Sequence, residues 1–118
     1  MTKKKLLNKI VDCLLDKKAI EISIIDVKKL TTLTETFIVC SSDSEPQTKA
    51  IMNHVTDTLS ENKIKPLHIE GHENLKWVLI DYADIVINIF DRETREYYSI
   101  ERLWADAKID KIKESYET

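Results

Sequence analysis

Apolar residues recur as adjacent pairs every fourth position near the start of the chain: Leu6-Leu7, Ile10-Val11 and Leu14-Leu15. That interval is the stripe of an amphipathic helix. Lys17 and Lys18 at its end suit the negative pole of the helix dipole. The period then changes. Ile20, Ile22 and Ile24 alternate with Glu21 and Ser23, which predicts a first strand ending near Val27, and residues 28–35 form a polar, Thr-rich connection. Thr36-Phe-Ile-Val-Cys-Ser is a run of β-formers, a second strand expected to be buried on both faces. Ser44 stands three residues before Gln47, a capping-box spacing, with Pro46 in the first turn where no N–H is needed. It opens a second helix whose inward stripe is Ala50, Ile51, His54, Val55, Thr58 and Leu59, closed by Asn62.

Residues 66–70 predict a third strand. Residues 77–82 and 85–90 are apolar with only Ala83 and Asp84 between them, so they predict a tight hairpin. Asp91 can cap a short turn through residues 92–96, and a last helix is expected from Ser99, with Leu103, Trp104 and Ala107 facing the core. Residues 108–118 carry Ile109, Ile112 and Tyr116 at loose helical spacing among many charges, and are expected as a fraying helical tail. The order α-β-β-α-β-β-β-α implies an α/β fold, a mixed sheet of about five strands with flanking helices, in a single domain over residues 1–107.

Composition narrows the partners. A chain of 118 residues can bury a core without staples, and its net charge of −3 argues against tight binding of bare nucleic acid. A basic protein is the better electrostatic match. Cys13 and Cys40 are too few and too far apart for a disulfide framework or a zinc motif, and read as buried free thiols. The basic start Met1-Thr-Lys-Lys-Lys is followed by an apolar run broken by Asn8, Lys9 and Asp12, with no small-residue cleavage site after it. No apolar run approaches membrane-spanning length, so no membrane association and a cytoplasmic location are expected.

Candidate chemistry gathers in Glu70–Phe90, a tract holding the only glycine, Gly71. Asp81 and Asp84 form D-x-x-D across the turn. One reading is a carboxylate pair holding the metal ions of a nucleotidyltransferase; the other is turn chemistry, in which Asp binds local backbone N–H groups. Three residues apart on a strand point to opposite faces, and no glycine-rich loop is present to hold a triphosphate. His68, Glu70 and His72 alternate and could bind iron or zinc, but Gly71 should break the alternation before His72. His54 reads as a hydrogen-bonded helix residue, and Cys40-Ser41-Ser42 lacks the elbow of a nucleophile. Trp77 reads equally as an ordinary core residue or as an exposed binding anchor, and Tyr82, Arg95, Tyr97 and Tyr98 are large amphipathic or forked side chains of the kind found at protein contacts. No metal or cofactor is expected, and self-association through an exposed sheet face is compatible with this pattern.

Four blocks occur in order: Thr34-Glu-Thr-Phe-Ile-Val-Cys-Ser, Pro66-Leu-His-Ile-Glu-Gly, Trp77-Val-Leu-Ile-Asp-Tyr-Ala-Asp-Ile-Val-Ile-Asn-Ile-Phe and Arg95-Glu-Tyr-Tyr-Ser-Ile-Glu-Arg-Leu-Trp104. Together they resemble the ribosomal silencing factor, or Iojap, family over roughly residues 5–105. The resemblance implies a fold related to nucleotidyltransferases without their catalytic residues. It also implies binding of the large ribosomal subunit through ribosomal protein L-fourteen, which blocks joining of the small subunit and represses translation. Glu70, Trp77, Asp81, Tyr82, Asp84, Arg95 and Tyr98 lie within the matching blocks and are the expected contact surface. The chain departs from the family where glycine is common at Ala83, histidine at Asn88, a small residue at Leu75 and an aromatic one at Thr36. Ala83 implies a turn that avoids a left-handed residue.

Overall fold

Thr2 sets the start of the first helix: its side chain accepts from the Lys5 N–H at 3.2 Å, opening α1 (Lys3–Asp16). The computed structural model describes residues 1–113. α1 buries Ile10, Val11 and Leu14 of the expected stripe together with Cys13, while Leu6, Leu7 and Leu15 are partly buried against the same cluster. β1 (Ile20–Asp26) and β2 (Thr36–Ser42) pair antiparallel, and β2 is buried at every position but Phe37. α2 (Glu45–Glu61) is capped by Ser44, which accepts from the Gln47 N–H at 3.2 Å. The Gln47 side chain does not return to Ser44; it accepts from the Asp43 N–H at 2.7 Å. β3 (His68–Glu70), β4 (Trp77–Asp81) and β5 (Ile85–Asp91) follow, and the β4–β5 hairpin turns on Ala83 and Asp84 as expected.

The strands lie in the order β3-β4-β5-β2-β1-β6, with β2 and β5 parallel at the centre and every other pair antiparallel. The link from β2 to β5 runs through α2, as a parallel pair requires. Alternation divides the sheet. Ile38, Cys40, Val78, Ile80, Ile85, Ile87 and Ile89 meet α1 and α2, sharing one cluster with Ile10, Leu14, Ile51, Val55 and Leu59. On the other face Ile25, Val39 and Phe90 pack with Ile100, Phe37, Trp77 and Trp104.

The C-terminal third departs from expectation. Asp91 accepts from the Thr94 N–H at 2.7 Å and starts a two-turn helix, α3 (Arg92–Tyr98), rather than a turn. The helix expected from Ser99 is only α4 (Ile100–Leu103), because Ser99 adopts a left-handed conformation that ends one helix and redirects the next. Trp104 and Ala107 pack on the second cluster, whereas Leu103 is exposed. The expected helical tail is instead a sixth strand, β6 (Lys108–Lys111), paired with β1 from Ser23 to Asp26. Loose helical spacing of Ile109 and Ile112 lost to the open edge of β1, whose backbone groups need partners. Tyr116 and the rest of that expected tail lie outside the described residues.

Candidate functional site

Helices α1 and α2 cover one face of the sheet; α3 and α4 cover only part of the other. The strand alternation of β4 sends Val78 and Ile80 to the covered face, and so sends Trp77, Leu79 and Asp81 to the open one. Register adds His68 opposite Asp81 and Glu70 opposite Leu79. His68 Nδ1 lies 3.6 Å from Asp81 Oδ2, and His68 Nε2 lies 3.7 Å from Glu70 Oε1. Glu70 ends β3 because Gly71 turns away at φ +81°, which keeps His72 out of this row. A Cβ on Gly71 would stand 1.8 Å from the Trp77 carbonyl oxygen, so glycine is needed for the loop to fold back on β4.

Trp77 is the hinge of this face. Its ring stacks on Phe90 at 4.8 Å and meets Tyr98 at 4.8 Å, and Tyr98 in turn meets the exposed Tyr97 at 5.1 Å. The Trp77 Nε1–H donates to Asn88 Oδ1 at 3.0 Å, so the indole is held by stacking and by a buried amide. Trp77 stays partly buried while Tyr98 is 50% exposed, leaving a rigid aromatic ledge at the Trp77 end of β4, on the face that Leu79, Glu70 and Asp81 share.

The hairpin tip decides the role of the first aspartate. Asp81 Oδ1 accepts from the Ala83 N–H at 2.8 Å, which is the turn chemistry of the two readings weighed for this pair. Asp84 is exposed at the tip. Ala83 overturns the sequence expectation: it sits at φ +70°, in the left-handed region, with the Asp84 N–H donating to the Tyr82 carbonyl at 3.0 Å. A bond across one residue with positive φ at its centre is the rare, strained form of this tight turn, the common form having negative φ. Among the described residues no group of three or more His, Cys, Asp and Glu is placed to hold a metal ion.

Two expected contact residues lie inside. Tyr82 is 8% exposed, with its hydroxyl buried and unpartnered, and burial pushes its pKa up to about 12. Arg95 is 7% exposed. Its Nη1 donates to the Glu21 carbonyl at 2.6 Å and to Ser41 Oγ at 3.0 Å, while Nη2 pairs with Glu101 Oε2 at 2.9 Å. Both are held mainly by contacts within the fold. Glu70, Trp77, Asp81, Asp84 and Tyr98 all reach the surface, and the first three with Tyr98 share one face. Sequence reasoning missed Leu79 and His68 as members of it; strand alternation from Trp77 marks the first and cross-strand register alone supplies the second. Cys13 and Cys40 are both buried, and burial pushes the Cys13 thiol up.

Fold and surface define a small mixed α/β domain with one dressed sheet face and one half-open face carrying an aromatic ledge. A family described as ribosomal silencing factor during starvation matches residues 1–118, and the chain belongs to that family. It is 35% identical over 107 residues to the ribosomal silencing factor RsfS of Halalkalibacterium halodurans, covering 91% of this chain and 92% of that protein. It is 27% identical over 104 residues to a mouse protein named mitochondrial assembly of ribosomal large subunit protein 1, spanning 86% of this chain but 46% of that one. A crystal structure of a Chromobacterium violaceum protein superposes with a TM-score of 0.86 at 34% identity, covering 100% of this chain and 94% of the other.

Proposed function

We propose that this protein is a non-enzymatic regulator in the cytoplasm that binds the large ribosomal subunit through ribosomal protein L-fourteen, prevents the small subunit from joining, and so represses translation. The observation that carries the proposal is the half-open sheet face. Trp77 and Tyr98 are held rigid by stacking and by Asn88, and rigid exposed aromatics lose little entropy on docking. Glu70 and Asp81 lie further along the same sheet face, with negative charge that suits a basic ribosomal protein. Membership in a family of ribosomal silencing factors supplies the class of partner.

Co-sedimentation with separated ribosomal subunits, followed by a subunit-joining assay, tests the proposal. The protein should travel with large subunits and lower the yield of joined ribosomes. Trp77→Ala should cost about 2 kcal/mol or more of binding, roughly thirtyfold in affinity. Co-sedimentation of that variant at wild-type affinity would remove Trp77 from the contact, and no association of the wild type with either subunit would overturn the proposal.

A further inference from the structure

A second surface lies around the hairpin tip from the aromatic ledge. A groove of about 470 Å³ runs between the connection joining β1 to β2 and the chain entering β3. Leu33 and Leu67 stand on its walls, 88% and 70% exposed, and Asp81, Ala83 and Asp84 line its floor. The backbone that carries them is hydrogen-bonded in place around the hairpin tip. The Leu33 N–H donates to Thr31 Oγ1 at 3.2 Å, Thr34 Oγ1 donates to the Ala83 carbonyl at 2.8 Å, and the Glu35 and Thr36 N–H groups donate to the Asp84 carbonyl at 3.2 and 3.0 Å. On the opposite wall the Leu67 N–H donates to the Asp81 carbonyl at 2.7 Å. Both leucines are thus held in water by backbone tied to the tip they flank.

Charge in the groove is uneven. Lys28 and Lys3 both turn to Glu35, at 3.9 and 2.8 Å, so that carboxylate is already matched. Asp81 keeps one oxygen on the Ala83 N–H with His68 beside the other, and Asp84 has no side-chain partner among the described residues. Two apolar walls and a carboxylate floor match the shape of a long cationic side chain, whose methylene stem packs on apolar surface while its head stays polar. Asp81 stands on the same sheet face as Trp77, at the opposite end of β4.

We propose that this groove receives one lysine or arginine side chain of the ribosomal protein partner, with its aliphatic stem between Leu33 and Leu67 and its cationic head on Asp84 and Asp81. The inference rests on the large-subunit docking proposed above and assigns that docking a second, charge-selective anchor.

The test has two arms. In the first, large-subunit affinity is measured for Leu33→Ser, Leu67→Ser and Asp84→Asn beside Trp77→Ala. These three positions are exposed, so thermal unfolding should match the wild type. Each should weaken binding by roughly three- to tenfold, and Asp84→Asn should also flatten its dependence on salt. In the second arm, backbone amide NMR shifts follow titration with N-acetyl-arginine amide. Leu33, Leu67, Ala83 and Asp84 should shift, the neutral N-acetyl-norleucine amide should move them less, and Asp84→Asn should abolish the difference. If Trp77→Ala weakens binding while the three groove variants bind as wild type, the groove inference falls and the docking proposal stands. If the wild type binds no subunit yet the groove takes arginine selectively, the docking proposal falls and the cation site stands. If the groove variants instead dissolve a dimer of the free protein and leave subunit binding unchanged, the occupant is a second copy and the inference is overturned.

Discussion

Ala83 and Tyr82 are adjacent, and each carries a cost that single substitutions can remove. A non-glycine residue in the left-handed region costs about 1–2 kcal/mol, and glycine gives back part of that through its freer unfolded chain. Ala83→Gly should therefore raise stability by roughly 0.5–1 kcal/mol in urea unfolding, and a loss of stability would show that the turn favours a methyl there. The Tyr82 hydroxyl is buried without a partner. Replacing such a group by an apolar one is neutral or favourable, so Tyr82→Phe should match or exceed wild-type stability by about 1 kcal/mol at neutral pH. Its pH dependence has a definite sign. An unfolded tyrosine titrates near about 10, and burial raises Tyr82 to about 12. The folded state keeps the proton longer, so stability is full below about 10 and declines as pH rises through that window. Denaturation curves across this range should show a shallower alkaline decline for Tyr82→Phe; an identical decline would relocate the effect to other groups.

Arg95 illustrates how elements are tied together by a residue that composition marks for the surface. β1 carries a bulge where its register shifts between Ile20 and Ser23, and Glu21 sits there at φ +51°. The bulge aims the Glu21 carbonyl at Arg95, which also grips Ser41 at the end of β2 and Glu101 in α4. One guanidinium thereby joins two strands and the short helix that follows α3. Arg95→Ala should destabilise the protein by about 2–4 kcal/mol, since it removes a buried guanidinium bonded to Glu21, Ser41 and Glu101 at once and unpairs Glu101. Arg95→Lys should recover little of this, because an ammonium cannot reproduce the fork. Wild-type thermal stability in Arg95→Ala would contradict the clamp. Nothing in a single sequence signals this role: the partners lie 74, 54 and 6 residues away, and no periodicity connects them.

At the scale of the whole molecule, β6 closes one edge of the sheet with a strand of alternating charge and one isoleucine. Removing residues 108–118 should expose the β1 edge, lower stability and favour self-association, seen as a mass increase in light scattering; a monomer of unchanged stability would show that β6 is dispensable. The helical stripes, the two central strands and the Ala83-Asp84 hairpin were legible in the chain alone. Each is governed by contacts between near neighbours, whose period of four or two is written in the order of residues. So were the blocks that resemble ribosomal silencing factors. Other features required the fold. β6 exists because β1 offers an edge, Tyr82 and Arg95 point inward because of a turn and a bulge, and Glu70, Leu79, Asp81 and Tyr98 share a face only through cross-strand register and a helix docked from beyond β5. The sequence by itself determined which segments are helix and strand as far as Asp91, and which residues could make a contact. The tertiary structure decided which of them face water, because burial depends on partners brought from far along the chain.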